Sequence, residues 1–158
     1  MARKQYPTII HERVDLARRG ENKTVFCRLR SGWVVLGDDQ RLRGYSLLLA
    51  DPIRDNLNDL NLKERSQFLL DMSVVGDALI EVFEPSIINY SILGNKDRAL
   101  HAHIHPRYDY EEPDKRQTSP LIYRLQNMPK IAFDYKRDRP NMDKILNAIA
   151  KRTEIGKI

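Results

Sequence analysis

The chain has 158 residues, 41% of them hydrophobic and 31% charged, which is enough for one compact domain and rules out a fibrous or disordered chain. No apolar run is long enough to span a bilayer, and the stretch from Met1 to Arg13 is polar without an apolar signal core, so neither a membrane partner nor export is expected. The net charge of +5 favours an anionic partner without saying whether that is a polynucleotide, a membrane surface or a small polyphosphate.

Pro7 to Arg19 carries Ile10, Val14 and Leu16 among charges and stops at Gly20, which predicts a short packing helix on which His11 is structural or at the surface. Three β-like runs follow, Thr24 to Leu29, Gly32 to Gly37 and Tyr45 to Ala50, separated by Ser31-Gly32 and Gly37-Asp38-Asp39 turns, as in neighbouring antiparallel strands. Cys27, the one cysteine, lies inside the first run; it has no disulfide partner in the chain and reads as a buried thiol in a reducing, cytoplasmic compartment.

Asn61 and Glu64 have the spacing of a capping box, and Phe68, Met72, Val75, Leu79 and Val82 then recur at helical spacing up to Glu84-Pro85. Ile87 to Leu93 and Ala99 to His105 read as two more strands joined through Gly94-Asn95, for about five in all, with the long helix covering one face of the sheet. Past Tyr108 the segment around Tyr110-Glu111-Glu112-Pro113 and Asp114 to Gln117 looks like an extended surface loop. Pro140 is expected to open a C-terminal amphipathic helix with Met142, Ile145, Leu146 and Ile149 on one face.

Four histidines occur, and three alternate at His101, His103 and His105. Alternate residues of a strand share a face at about 6 to 7 Å spacing, so the three imidazoles and Ala99 point one way while Leu100, Ala102 and Ile104 point toward the helix. The cluster is compatible with solvated histidines that do no chemistry, with a zinc site, and with a nucleophilic or acid-base site. No acidic or cysteine fourth ligand accompanies the imidazoles, and histidine is neutral enough at physiological pH to attack and later depart, so the nucleophilic reading has the strongest chemistry.

The run Leu100-His101-Ala102-His103-Ile104-His105-Pro106-Arg107-Tyr108 resembles the signature of the histidine-triad superfamily. Gly37-Asp38-Asp39, Arg43 to Leu49, Asp51-Pro52, Leu57-Asn58-Asp59-Leu60, Asn89-Tyr90 and Leu93-Gly94-Asn95 also occur in that family's order, over roughly Val25 to Tyr108. The resemblance is greatest to the diadenosine-tetraphosphate-hydrolase-like branch. It implies an α+β fold, an antiparallel sheet of about five strands under one long helix with further helices at the N- and C-termini. It also implies a single domain over 1–158, with a core of about 25–108 and a C-terminal extension of about 109–158.

Two registers lay the strand on the family signature. Taking the three visible histidines as the triad makes His103 central; anchoring Pro106-Arg107 and Gly94-Asn95 instead places the triad at Ala99, His101 and His103. The second needs no insertion or deletion and is preferred. It makes His101 the nucleophile and His103 the phosphate contact, and it leaves two departures, Ala99 for the first histidine and Tyr45 where the family often has Gly-His.

The resemblance implies hydrolysis of a nucleoside phosphate or dinucleoside polyphosphate through a nucleotidyl-histidine intermediate. A nucleotidyl transferase or phosphorylase, and a nucleotide-binding protein with little catalysis, are the alternatives. Asp38, or failing that Asp39, would accept the ribose hydroxyls, with Asn89, Asn95 and His105 as further substrate contacts; each aspartate is equally well a turn residue bonding its own backbone. Arg107 reads as a phosphate partner, a surface anchor or an interface residue and stays outside the catalytic set, while Trp33 and Tyr45 could stack on a base or fill the core. No resident cofactor or protein-held metal is required, a divalent cation could accompany a polyphosphate, and the expected partners are the nucleotide and a second copy of the chain. Nucleic acid is not expected, since interleaved aromatics and a recognition motif are missing.

Overall fold

The computed structural model describes residues 5–123 and 129–158. Helix α1 spans Ile9–Arg18, strands β1, β2 and β3 span Val25–Leu29, Gly32–Leu36 and Ser46–Ala50, and the long helix α2 spans Leu62–Phe83. Strands β4 (Ile87–Ser91) and β5 (His101–Arg107) follow, then two short helices, α3 (Pro113–Arg116) and α4 (Pro120–Tyr123), and finally α5 (Tyr135–Ala150). The strands form one antiparallel sheet in the order β1-β2-β3-β5-β4. The expected α+β architecture, five strands under one long helix, is therefore the one found.

The start of α2 is set as its sequence indicates. The Asn61 side chain accepts from the Glu64 amide at 3.0 Å and the Glu64 carboxylate accepts from the Asn61 amide at 3.2 Å, so two otherwise unpaired donors are satisfied reciprocally. Its apolar stripe, with Phe68, Val75 and Leu79 fully buried, packs on one sheet face against Ala102 and Ile104 of β5 and Leu100 just before it. Met142, Ile145 and Ile149 of α5 complete that layer.

Helix α5 begins five residues earlier than expected, and Pro140 lies inside it rather than opening it. Asp134 caps the helix by accepting from the Arg137 amide at 2.7 Å, and Asp138 accepts from the Asp134 amide at 2.9 Å. The first turn, Tyr135-Lys136-Arg137-Asp138, holds no aliphatic residue, so hydrophobic periodicity starts only beyond the proline.

The opposite sheet face carries the histidines. There Trp33, Val35, Leu47 and Leu49 pack with Ile10, Val14 and Ala17 of α1 in a second, smaller apolar cluster. Thr8 caps α1, its hydroxyl accepting from the Ile10 and His11 amides, and His11 Nδ1 lies 3.0 Å from the same hydroxyl, which gives His11 the structural place expected of it.

The segment after β5 differs from a surface loop. Glu111 is buried and forms a two-pronged ion pair with Arg107, itself 2% exposed, and also accepts from the Tyr108 amide at 2.6 Å. Arg107 donates as well to the carbonyls of Lys115, Arg116 and Thr118, so a single guanidinium gathers the chain that follows it. The acidic composition that suggests a solvated loop is here the counter-charge of an internal cation, and Arg107 is neither a surface anchor nor exposed.

Candidate active site

A cavity of about 390 Å³ opens between α1 and the histidine face of the sheet. His101, His103, Tyr45 and Leu47 form its sheet wall, Ile9, Ile10 and Arg13 come from α1, and Asp38, Asp39 and Arg41 from the β2–β3 connection. Lys130 closes it from the far end of the sequence. That placement follows from long-range backbone pairing: the Gln40 amide donates to Ile131, the Phe133 amide donates to Asp38, and Asp39 bridges Ala132. Volume and mixed apolar and charged lining suit a small anionic ligand with an apolar part.

Along β5 the three imidazoles meet different surroundings. His101 is 6% exposed, and its Nδ1–H donates to the Ala99 carbonyl at 2.7 Å. A carbonyl can only accept, so the proton resides on Nδ1 and the lone pair on Nε2. The orienting group is the backbone of residue 99, two positions before the strand begins, and alanine there supplies it as well as any other residue.

His103 is half-buried, with its ring edge-on to His101 at 4.9 Å between centroids and its Nδ1 2.7 Å from the Tyr45 hydroxyl. His105, 3% exposed, lies outside the cavity lining, its ring stacked on Tyr45 with centroids 4.1 Å apart and planes 6° from parallel.

Of the other residues expected at the site, Asp38 lines the cavity, exposed and ion-paired with Arg13. Asp39 pairs with Arg41 at 2.5 Å. Asn89 stands on β4, where its carbonyl oxygen accepts from Arg107 at 2.7 Å, and Asn95 is exposed in the connection between β4 and β5; neither lines the cavity. Trp33 is core, its indole N–H donating to Asp51 at 2.8 Å, whereas Tyr45 belongs to both core and cavity wall. Arg13, Arg41 and Lys130 are the cavity residues that sequence reading did not single out. Each is one basic residue among 27, and only the pairing of α1 and the 130–133 segment with the β2–β3 connection brings them together.

Among the described residues no group of three or more His, Cys, Asp and Glu side chains is arranged to hold a metal ion, and no helix is long and apolar enough to cross a membrane. Burial pushes the Cys27 thiol up to about 12, which keeps it protonated and inert.

The fold is that of the histidine-triad proteins of known structure. It superposes on a histidine triad protein from Bradyrhizobium japonicum at 23% identity and a TM-score of 0.66, covering 84% of this chain and 95% of that one. A hypothetical histidine triad nucleotide-binding protein from Sulfolobus tokodaii matches with a TM-score of 0.68 at 12% identity, over 89% and 92% of the two chains. Plasmodium falciparum diadenosine triphosphate hydrolase matches with a TM-score of 0.62 at 15% identity, over 84% and 80%. No protein-family model and no curated protein matches the sequence, so the likeness is one of fold.

Proposed function

We propose that this chain is a nucleotide hydrolase that cleaves a nucleoside phosphate or dinucleoside polyphosphate through a nucleotidyl-histidine intermediate on His101, as in the diadenosine-polyphosphate-hydrolase branch of the histidine-triad proteins. The observation that carries this is the 2.7 Å bond from His101 Nδ1–H to the Ala99 carbonyl beside a nucleotide-sized cavity, because it leaves Nε2 with a lone pair. Nε2 attacks the α-phosphorus as the bond to the leaving phosphate breaks; water then attacks the phosphoramidate and releases a nucleoside monophosphate, returning the imidazole. His103 contacts the phosphate oxygens, where negative charge accumulates, and Asp38 accepts from the sugar hydroxyls once Arg13 turns aside. Arg13, Arg41 and Lys130 against Asp38 and Asp39 leave the cavity one positive charge in excess, which suits a polyphosphate.

The groups of the chain suffice for both steps, and a divalent cation enters only with a polyphosphate substrate. A chelator should therefore leave the covalent step standing, and stoichiometric zinc in purified protein would argue for a metal site instead. We place the protein in the cytoplasm on its one buried thiol, and we read the sheet edge at β4 as a homodimer contact. Tyr90 is exposed on the α2 side of that edge strand, its hydroxyl over Gly76 of α2 one turn before the exposed Ile80, so edge and helix present apolar surface on the same side.

The test is incubation with a panel of adenylylated and guanylylated compounds, followed by intact-mass detection of a nucleotide on His101 and product analysis. A transient adduct with nucleoside monophosphate as product supports hydrolysis, and transfer of the nucleotide to phosphate supports the phosphorylase alternative. Tight binding with neither adduct nor turnover supports a nucleotide-binding protein and overturns the hydrolase.

A further inference from the structure

Neighbouring imidazoles on β5 are held by partners of opposite character. His101 meets a carbonyl, which fixes its hydrogen on Nδ1. His103 meets a phenol at the same ring position, 2.7 Å away. A phenolic O–H is a better donor than an imidazole N–H, and an imidazole lone pair is a better acceptor than a phenol oxygen, so the hydroxyl donates and the hydrogen of His103 resides on Nε2.

Tyr45 has little freedom to do anything else. It is 3% exposed, with one ring face stacked on His105. Gly37 lies against the ring so closely that a Cβ there would stand 2.3 Å from Tyr45 Cδ1, and the preceding Gly44, at φ 86°, has room for no Cβ beside the Phe83 ring. The Tyr45 carbonyl accepts from the Gly37 amide at 2.8 Å and from the Gln40 side chain at 3.0 Å, and the Tyr45 amide donates to the Leu42 carbonyl at 3.0 Å.

We propose that Tyr45 is a positioning residue that holds His103 in its Nε2–H tautomer, so that the two imidazoles of the cavity wall carry opposite functions, a lone pair on His101 and a hydrogen-bond donor on His103. Its catalytic consequence rests on the nucleotidyl-transfer reading; its geometry does not. As His101 Nε2 bonds to phosphorus, the phosphoryl oxygens gain charge and the Nε2–H of His103 donates to one of them. Tyr45 keeps its proton throughout and acts through His103. The tyrosine that stands where related proteins often have histidine is thus an alternative means of orienting a ring of the cavity.

Tyr45→Phe keeps the stacked ring and removes the hydroxyl alone. Long-range 1H–15N spectra of the ligand-free wild-type protein should show His101 as Nδ1–H and His103 as Nε2–H, and in Tyr45→Phe only His103 should shift toward a tautomer mixture. With diadenosine triphosphate as probe, kcat should fall roughly 10- to 100-fold with KM changed less than about two-fold. In a His103→Gln background the same substitution should cost less than about two-fold, because its effect runs through His103. A wild-type His103 carrying hydrogen on Nδ1 overturns the proposal whether or not the variant folds, as does an unchanged tautomer in Tyr45→Phe or an equal loss in both backgrounds. The spectra need no substrate, so expected tautomers without any His101 adduct would sink the hydrolase and leave the role of Tyr45 standing.

Discussion

Strand β5 has two faces that are buried to nearly the same degree by different physics. Ala102 and Ile104, with Leu100 just before the strand, lie 2% exposed or less against α2, where what counts is apolar area removed from water and volume filled. On the other face His101, His105 and Arg107 are 6%, 3% and 2% exposed, and half-buried His103 lies among them. Each is kept there by a particular partner: the Ala99 carbonyl, the Tyr45 ring and hydroxyl, and the Glu111 carboxylate. An apolar face tolerates exchange of shape for shape, whereas a buried polar group depends on the one atom that satisfies it. The second face is therefore the more sensitive to single atoms.

The sharpest way to break this contrast is His101→Ala, which should lower turnover of a dinucleoside polyphosphate by at least about 10³-fold and remove the adduct in intact-mass spectra, with the fold retained. Survival of most activity would remove the distinction between the faces. Next, Glu111→Ala leaves the Arg107 guanidinium buried without its counter-charge and should cost about 3–5 kcal/mol in chemical denaturation. A loss under about 1 kcal/mol would mean that the carbonyls around Arg107 suffice.

On the apolar face, Ile104→Ala should cost about 2–5 kcal/mol by the same measurement, while Ile104→Val should cost only about 0.5–1.5 kcal/mol. His105→Ala should keep activity within roughly ten-fold of wild type, since its ring supports Tyr45 without reaching the cavity. A loss as large as that of His101→Ala would instead favour the register centred on His103.

The smallest expected effect is one of pH. Burial raises the Asp51 carboxyl, but hydrogen bonds from the Arg18 guanidinium and the Trp33 indole outweigh it and hold its pKa below the ordinary carboxylate range. A folded pKa below the unfolded one gives stabilisation that is complete above the unfolded value and disappears as pH falls through the folded value. Asp51→Asn should accordingly flatten the acid limb of the stability profile, while Ile104→Ala should lower that profile without changing its slope. Parallel acid limbs for Asp51→Asn and wild type would show that the pair contributes no such term.

Much of the fold is legible in the sequence because it rests on local signals: the Asn61/Glu64 cap, the stripe from Phe68 to Val82, and the alternation that sends Leu100, Ala102 and Ile104 one way and the imidazoles the other. Each depends on chemistry within one or two turns or strand repeats, which residue order determines directly. The start of α5 escaped because its first turn is charged and carries no periodicity, and Glu111 escaped because a carboxylate among acidic neighbours looks solvated until its buried arginine is known.

The sequence by itself determined the strand of imidazoles, its apolar reverse side and the place of the His101 ring on the polar face. Only tertiary structure decided that α1 and residues 130–133 close a cavity over that ring, that Arg13, Arg41 and Lys130 meet there, and that Tyr45 reaches His103 across 58 positions of chain. The reason is that hydrogen bonds and ion pairs between distant segments depend on where packing brings their ends, and packing is a property of the whole chain rather than of any window along it.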